Sequence, residues 1–140
     1  MILSDSLDLW VPARTIFGEA RGEGVLGMTA VGHVLVNRQQ TGKWGKSLNS
    51  VCLWPYQFSC WLPGANLESM VSVDDNDPLL SQCRNALISA MTSTDDPTNG
   101  ATFYFADYIS PPPWAAGKNF KVKIGHHLFY AERMTNHVVT

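Results

Sequence analysis

Residues 11–42 read VPARTIFGEARGEGVLGMTAVGHVLVNRQQTG, and this stretch decides the fold. Pro12 suits the first turn of a helix, where its missing N–H leaves no hydrogen bond unmade, and apolar residues follow it. A cluster of three glycines then interrupts the pattern, and apolar residues recur at helical spacing from Met28. The pattern predicts one helix from Pro12 to about Arg21 and a second that ends near Gln40.

The second half of the chain predicts another helix and then strands. Asp77 is suited to cap a helix that begins with Pro78, and apolar residues repeat at helical spacing as far as Met91. Aromatic and β-branched residues then favour extended structure. The candidate strands cover residues 101–106, 121–124 and 126–130. Helices followed by strands predict an α+β fold, mainly helical, with a small antiparallel sheet near the C-terminus.

Between these patterns, residues 44–77 are irregular and rich in Trp, Pro, Ser and Asn. A connection of this length is uncommon in a small domain unless it has a function, so we expect it to line a site. The 140 residues are the common size of one domain. We therefore expect residues 1–140 to form a single domain, and to be a monomer.

Composition excludes several classes of function. The formal net charge of -2 and the lack of a basic run disfavour nucleic acid as a partner. No run approaches the roughly 20 apolar residues that span a bilayer, so stable membrane insertion is not expected. The three cysteines show no CxxC spacing and are interpreted as buried structural thiols, and no HExxH motif occurs. We predict neither a metal nor a cofactor.

Glu19, Arg21 and Glu23 lie together in the segment GEARGEG, residues 18–24. If the helix extended to Glu23, the two glutamates would share one face, and their repulsion would raise one pKa toward the range of a general acid. Cleavage of a glycosidic bond needs such an acid, because the sugar oxygen leaves only when protonated. The alternative is that Glu19 is a surface residue paired with Arg14 or Arg21.

Several ordered motifs give the chain a resemblance to the SleB-type cell-wall hydrolases, the family of the spore cortex-lytic enzyme catalytic domain. The motifs are ARTIFGEARGE (13–23), VGHVLVNR (31–38), QFS (57–59), DPTNGATFYF (96–105) and KIGHHLFY (123–130). The resemblance covers nearly the whole chain and implies a lysozyme-like α+β fold with Glu19 as the catalytic acid. It also implies cleavage of peptidoglycan glycan strands between N-acetylmuramic acid and N-acetylglucosamine, by a lytic transglycosylase or a muramidase.

Two positions depart from the family's pattern. The family often has Asn-Pro after the aromatic strand, where this chain has Ala106-Asp107. It often has Asn before the late histidine, where this chain has His126. Sugar contacts near these two positions are therefore expected to differ from those of the family.

Further polar side chains are predicted to support Glu19 or to bind substrate. They are Glu23, Arg21, Gln57, Ser59, Tyr104 and His127. Because side chains alternate along a strand, only one of His126 and His127 can face a site. Three tryptophans either stack on sugar rings or belong to the core. They are Trp54, Trp61 and Trp114. Asn37 and Arg38 are interpreted as structural tethers.

Two alternative functions stay open at this point. One is a cysteine-dependent cell-wall peptidase or amidase, with Cys60 or Cys83 as the nucleophile and His127 as the base. The other is a non-catalytic glycan-binding module. The N-terminus shows no basic leader with an apolar segment, so we expect synthesis in the cytoplasm without a signal peptide. We expect action on the cell wall in the periplasm, as for a bacteriophage endolysin in its host.

Overall fold

The computed structural model describes residues 9–133. Within them the α-helices are α1 (Trp10–Ala20), α2 (Gly24–Thr41), α3 (Leu48–Leu53), α4 (Ala65–Ser72) and α5 (Pro78–Thr92). The strands are β1 (Phe103–Ala106), β2 (Asn119–Ile124) and β3 (His127–Ala131), and 3₁₀ turns cover Ser59–Trp61 and Pro113–Gly117. The predicted α+β class, mainly helical with a small antiparallel sheet near the C-terminus, is confirmed.

The core lies where α1, α2 and α5 pack against one another. Its fully buried side chains include Ile16, Met28 and Leu87. Each such side chain stabilises the fold by about 2 kcal/mol relative to exposure. Gly32 lets α2 approach α5 closely, because a Cβ there would lie 3.2 Å from the Cβ of Ala90. All three cysteines are free and buried, which confirms their interpretation as structural thiols.

The helix predicted from Asp77 and Pro78 is confirmed. The Asp77 carboxylate accepts hydrogen bonds from the N–H groups of Leu79 and Leu80, at 2.9 and 3.2 Å. These bonds satisfy donors that have no partner inside the helix. The second helix begins earlier than its apolar repeat suggests, at Gly24, so only residues 21–23 separate it from α1. It ends as expected before Gly42, whose φ of 74° suits a helix C-cap.

The expectation that residues 44–77 are irregular is wrong in part, because α3, α4 and a 3₁₀ turn lie within them. Both helices are short, and helices of that length are not stable in isolation. Val51 of α3 and Met70 of α4 are fully buried against the core. Burial by tertiary contacts therefore forms these helices, and their apolar repeat is too short to reveal them.

The sheet has the order β1-β3-β2, and both pairs are antiparallel. The three predicted strands are confirmed, although β1 begins two residues later, at Phe103, β2 begins two residues earlier, at Asn119, and β3 begins one residue later, at His127. Phe129 of β3 is fully buried against Ala30 and Val34 of α2. This packing places the end of β1 beside the C-terminal end of α1. Within residues 9–133 no helix combines the length and apolarity that a bilayer span requires.

Candidate active site

Glu19 lies in the last turn of α1 and is half-buried. Its Oε1 atom accepts a hydrogen bond from the hydroxyl of Tyr104 in β1. Its Oε2 atom accepts a long hydrogen bond of 3.4 Å from the backbone N–H of Cys60, in the 3₁₀ turn. Three separate parts of the chain therefore fix one carboxyl group.

The phenol that contacts Glu19 stays protonated. Burial and the neighbouring Glu19 raise the pKa of Tyr104 well above its usual value. A neutral phenol is a permanent hydrogen-bond donor to the carboxyl group. Tyr104 is one of the residues that the sequence predicts to support Glu19, and the structure places it beside that carboxyl group. Its role in catalysis stays a prediction.

Neither arginine suggested as a partner forms an ion pair with Glu19. Arg14 pairs with Asp75 at 2.8 Å. Arg21 donates to the Asn66 amide oxygen at 2.8 Å and to a backbone carbonyl. Among the residues that the structure describes, the alternative of a surface ion pair for Glu19 is therefore not observed.

Arg21 and Asn66 together hold the end of α1. Arg21 donates to the carbonyl of Phe17 at 3.0 Å, and the Asn66 amide donates to the carbonyl of Gly18 at 3.1 Å. Carbonyls in the last turn of a helix lack partners within the helix, so these bonds stabilise the turn that carries Glu19. We expected a carboxylate partner for Arg21, and the structure shows an amide instead. Asn66 was missed because its partners are distant in sequence.

Gly18 allows the 3₁₀ turn and α4 to approach α1. A Cβ at Gly18 would lie 2.4 Å from the sulfur of Met70 and 2.8 Å from the Cβ of Cys60. Contacts this short do not occur between real atoms, so a side chain here would displace the turn. This turn carries the backbone N–H of Cys60, which donates a hydrogen bond to Glu19. Gly18 is therefore a requirement of the site's geometry.

An open cleft of about 440 Å³ lies in front of Glu19. Four other predicted site residues share its lining, namely Gln57, Ser59, Tyr104 and His127. Arg21 and Glu23 are not among the lining residues. The cleft is also lined by Tyr108, which the sequence suggested as a hydrogen-bonding group for a sugar, and by Tyr56, Asn66 and Ile109, which the sequence did not single out.

Glu23 has a different position from the one its spacing suggests. Helix α1 ends at Ala20, so the two glutamates do not share a helical face. The Glu23 carboxylate instead accepts a hydrogen bond of 2.9 Å from the backbone N–H of His126, in the β2–β3 hairpin. The expectation of repulsion along one helical face does not hold, because Arg21 to Glu23 form a turn. Glu23 ties that turn to the hairpin.

Of the two adjacent histidines, His127 lines the cleft and His126 does not. The expectation that only one faces the site is confirmed. Burial lowers the pKa of His127, although the nearby carboxylates of Glu23 and Glu19 oppose that shift. Its ring centroid lies 4.8 Å from that of Tyr104. His127 is therefore a neutral imidazole at the cleft wall near pH 7.

The two departures from the family's pattern contact each other. His126 Nδ1 lies 3.2 Å from the carboxylate of Asp107, which also pairs with Lys123 at 3.1 Å. The side chain of His126 is exposed. This ion cluster holds the end of β1 to the hairpin, so the two unusual residues form one structural feature.

Asn37 and Arg38 act as the predicted tethers. Asn37 donates to Asp96 and to the carbonyl of Ala101, at 2.9 Å each. Arg38 donates to the carbonyl of Thr102 at 2.7 Å. Arg38 also lines the cleft, which the sequence did not suggest, because its position there depends on the hydrogen bond to Thr102, a residue distant in sequence that precedes β1.

The tryptophans divide between core and surface. Trp61 packs against the core, and its indole N–H donates to Thr15 at 3.0 Å. Trp54 is exposed but does not line the cleft. Trp114 packs edge-on against Phe105 at the side of the sheet. None of the three stands over Glu19.

The cysteines lack the properties of a nucleophile. Cys60 and Cys83 are 2% and 0% exposed. Burial raises the pKa of Cys83 to about 12, and burial together with Glu19 raises that of Cys60. The reactive thiolate is therefore not formed near neutral pH. The geometry disfavours a cysteine peptidase. In the described part of the chain, no three His, Cys, Asp or Glu side chains cluster as metal ligands do.

Comparison with known proteins gives a matching family model and several relatives. A family model described as cell wall hydrolase matches residues 22–130, beginning three residues after Glu19. Two curated relatives are the spore cortex-lytic enzymes of Halalkalibacterium halodurans and Bacillus subtilis. Each is 28% identical over 122 residues, which is 87% of this chain. The chain spans 34% and 37% of their respective lengths.

Solved structures show the same fold. The catalytic domain of the germination-specific lytic transglycosylase SleB from Bacillus anthracis matches with a TM-score of 0.72 and 26% identity, over 88% of this chain and 93% of that one. The catalytic domain of the Bacillus cereus SleB protein gives the same TM-score and identity, over 88% of each chain. The resemblance in the sequence motifs is thereby confirmed.

Proposed function

This chain belongs to the cell wall hydrolase family, and we propose that it cleaves the glycan strands of peptidoglycan with Glu19 as the general acid. The observation that carries the proposal is the position of Glu19, which is half-buried at a cleft with a neutral phenol as its donor. A general acid has to be held within hydrogen-bond reach of the oxygen it protonates, and a carboxyl group fixed at the wall of a cleft meets that condition. The SleB catalytic domain from Bacillus anthracis, which is named as a lytic transglycosylase, supports the same chemistry.

In the proposed mechanism, Oε2 of Glu19 carries the proton, because Oε1 accepts from Tyr104 and the contact of Oε2 with Cys60 is long. The proton passes to the glycosidic oxygen as its bond to the anomeric carbon breaks. The resulting carboxylate then takes the proton of the muramic acid 6-hydroxyl, whose oxygen bonds to the anomeric carbon. One carboxyl group thus completes the cycle, and the products are a free sugar hydroxyl and a 1,6-anhydro end.

Mass spectrometry of the products tests this route. Purified protein is incubated with purified peptidoglycan, and the soluble fragments are weighed. Anhydro ends lighter by one water than hydrolysed ends support the transglycosylase route. Hydrolysed ends would instead indicate that water attacks and that the enzyme is a muramidase. If no fragment is released, the proposal is wrong and the chain is a glycan-binding module.

The proposed site of action is the cell wall, reached from the periplasm, since a glycan-cleaving cleft acts only where its substrate lies. The proposed biological role is lysis of a host cell by an endolysin made in the cytoplasm. Expression in a Gram-negative cell tests this setting. Lysis is expected only when a pore-forming protein is co-expressed, and lysis without the pore would contradict it.

A further inference from the structure

A second cavity of about 330 Å³ opens beside the catalytic cleft. The two cavities share Arg38, Tyr56, Gln57 and Tyr104 in their linings. Because Tyr104 also contacts Glu19, a glycan strand that reaches the acid can extend directly into this second cavity. The mechanism described above gives the second cavity no role.

A buried cation lies at the boundary of the two cavities. Arg38 is 4% exposed, and its guanidinium stacks on Trp44, with 4.2 Å to the ring centroid. It donates to the carbonyl of Thr102 and to the amide oxygen of Gln57. Both acceptors are neutral, and within residues 9–133 no carboxylate lies at ion-pair distance. A buried cation without an anionic partner attracts a negatively charged ligand.

A second cation lines the same cavity. Lys118 Nζ lies 2.8 Å from Glu132, whose carboxylate also pairs with Lys43 at 3.3 Å. One carboxylate is thus shared by two lysines. Because Glu132 is shared with Lys43, which lies outside the cavity, it offsets only part of the charge of Lys118 and Arg38, and the second cavity keeps an excess of positive charge in a protein whose formal net charge is -2.

Aromatic rings form the rest of the cavity wall. The ring centroids of Phe103 and Trp114 lie 5.3 Å apart. Tyr56, at the boundary with the cleft, is 89% exposed and has a φ of 63°. A bulky residue rarely adopts this backbone conformation, and such exceptions concentrate at ligand sites. Flat apolar surfaces beside cations suit a sugar ring that carries an acidic substituent.

We propose that the second cavity is a subsite for a carboxylate carried by the glycan next to the bond that is cleaved. The inference rests on the proposed function. In peptidoglycan such a carboxylate has two sources, the lactyl group of a muramic acid without peptide and the stem peptide itself. Both sources offer the same group to Lys118 and Arg38, as charge-assisted hydrogen bonds require.

The test compares Lys118→Gln with Lys43→Gln. Each removes one positive charge and one partner of Glu132, but only Lys118 lines the cavity. Kinetics are measured on peptide-bearing strands, on strands freed of peptide by an amidase, and on strands whose carboxylates have been converted to amides. Thermal unfolding of each variant monitors the fold.

We expect Lys118→Gln to raise KM roughly tenfold on native strands with kcat nearly unchanged, as loss of one charge-assisted hydrogen bond predicts. Lys43→Gln should stay within about twofold, since its charge is screened and outside the cavity. On amidated strands the KM of the wild type should rise to that of Lys118→Gln. An effect that persists on peptide-free strands identifies the lactyl carboxylate, and an effect confined to peptide-bearing strands identifies the stem peptide.

Two results would overturn the inference. If the wild type cleaves native strands but Lys118→Gln does so equally well, the subsite is wrong while the proposed function stands. If Lys118→Gln is impaired equally on native and amidated strands, the lysine has only a structural role. A wild type that cleaves no strand would overturn the proposed function and the subsite together.

Discussion

The last turn of α1 and the turn that follows it each present a glutamate, and the two carboxylates have opposite surroundings. Glu19 faces an open cleft and is held by a phenol and a long backbone contact. Glu23 lies outside the cleft and accepts a 2.9 Å hydrogen bond from the hairpin backbone. Two glutamates four positions apart therefore differ in role: Glu19 is available to react with a ligand in the cleft, whereas Glu23 joins its turn to the hairpin. The packing partners, and not the spacing, make the difference.

Removing the acid should give the largest effect. Glu19→Gln keeps the size of the side chain but cannot donate a carboxylic proton, so peptidoglycan cleavage should fall about a thousandfold. Release of soluble fragments measures the loss, and circular dichroism checks that the fold is intact. Retention of more than a tenth of the wild-type rate would show that Glu19 is not the acid.

Removing the phenol should give the next largest effect. Tyr104→Phe keeps the ring packed against His127 but deletes the hydroxyl that donates to Glu19. We expect kcat to fall roughly tenfold to a hundredfold, because a misoriented acid transfers its proton less efficiently. Unchanged kcat in a folded variant would mean that Tyr104 only packs.

Crowding the turn beside the acid should reduce stability. Gly18→Ala forces a Cβ against Met70 and Cys60, and we expect it to lower the free energy of unfolding by about 1–3 kcal/mol. Gly22→Ala is the matched control, since a Cβ at Gly22 meets no atom within 4 Å. Urea denaturation compares the two variants. Equal stability would show that the turn can move without cost.

The smallest effect is expected at the second glutamate. Glu23→Gln keeps an oxygen that can accept from the N–H of His126 and loses only the charge, so stability should fall by less than about 1 kcal/mol. Cleavage should fall only a few-fold. The comparison between the two turns fails if this variant loses as much activity as Glu19→Gln, because Glu23 would then share in the chemistry.

The sequence predicts those parts of the fold in which a few neighbouring residues supply the interactions. Asp77 and Pro78 encode the start of α5 within one turn, and the aromatic run before Ala106 encodes β1. Helices α3 and α4 could not be predicted in this way. Their buried residues Val51 and Met70 gain stability only from contact with helices elsewhere in the chain.

The same distinction applies to the site. The segment around Glu19 is recognisable as a candidate acid because two carboxylates and glycines at a helix end are unusual in one short stretch. Its partner Tyr104 lies 85 positions away, and Arg38 enters the cleft because it hydrogen-bonds Thr102, 64 positions away. Long-range hydrogen bonds of this kind depend on chain packing, which local propensity does not contain.

By itself the sequence determined α1, α2, α5 and the three strands, and it showed that a glutamate at the end of the first helix is available for acid chemistry. Only the tertiary structure decided that Glu19 faces the cleft and Glu23 the hairpin, and that Arg38 and Lys118 meet at a second cavity. The physical reason is the sequence distance over which each interaction acts. Capping and hydrophobic periodicity act over a few residues. The surroundings of a carboxylate depend on backbone segments that are distant in sequence and pack beside it.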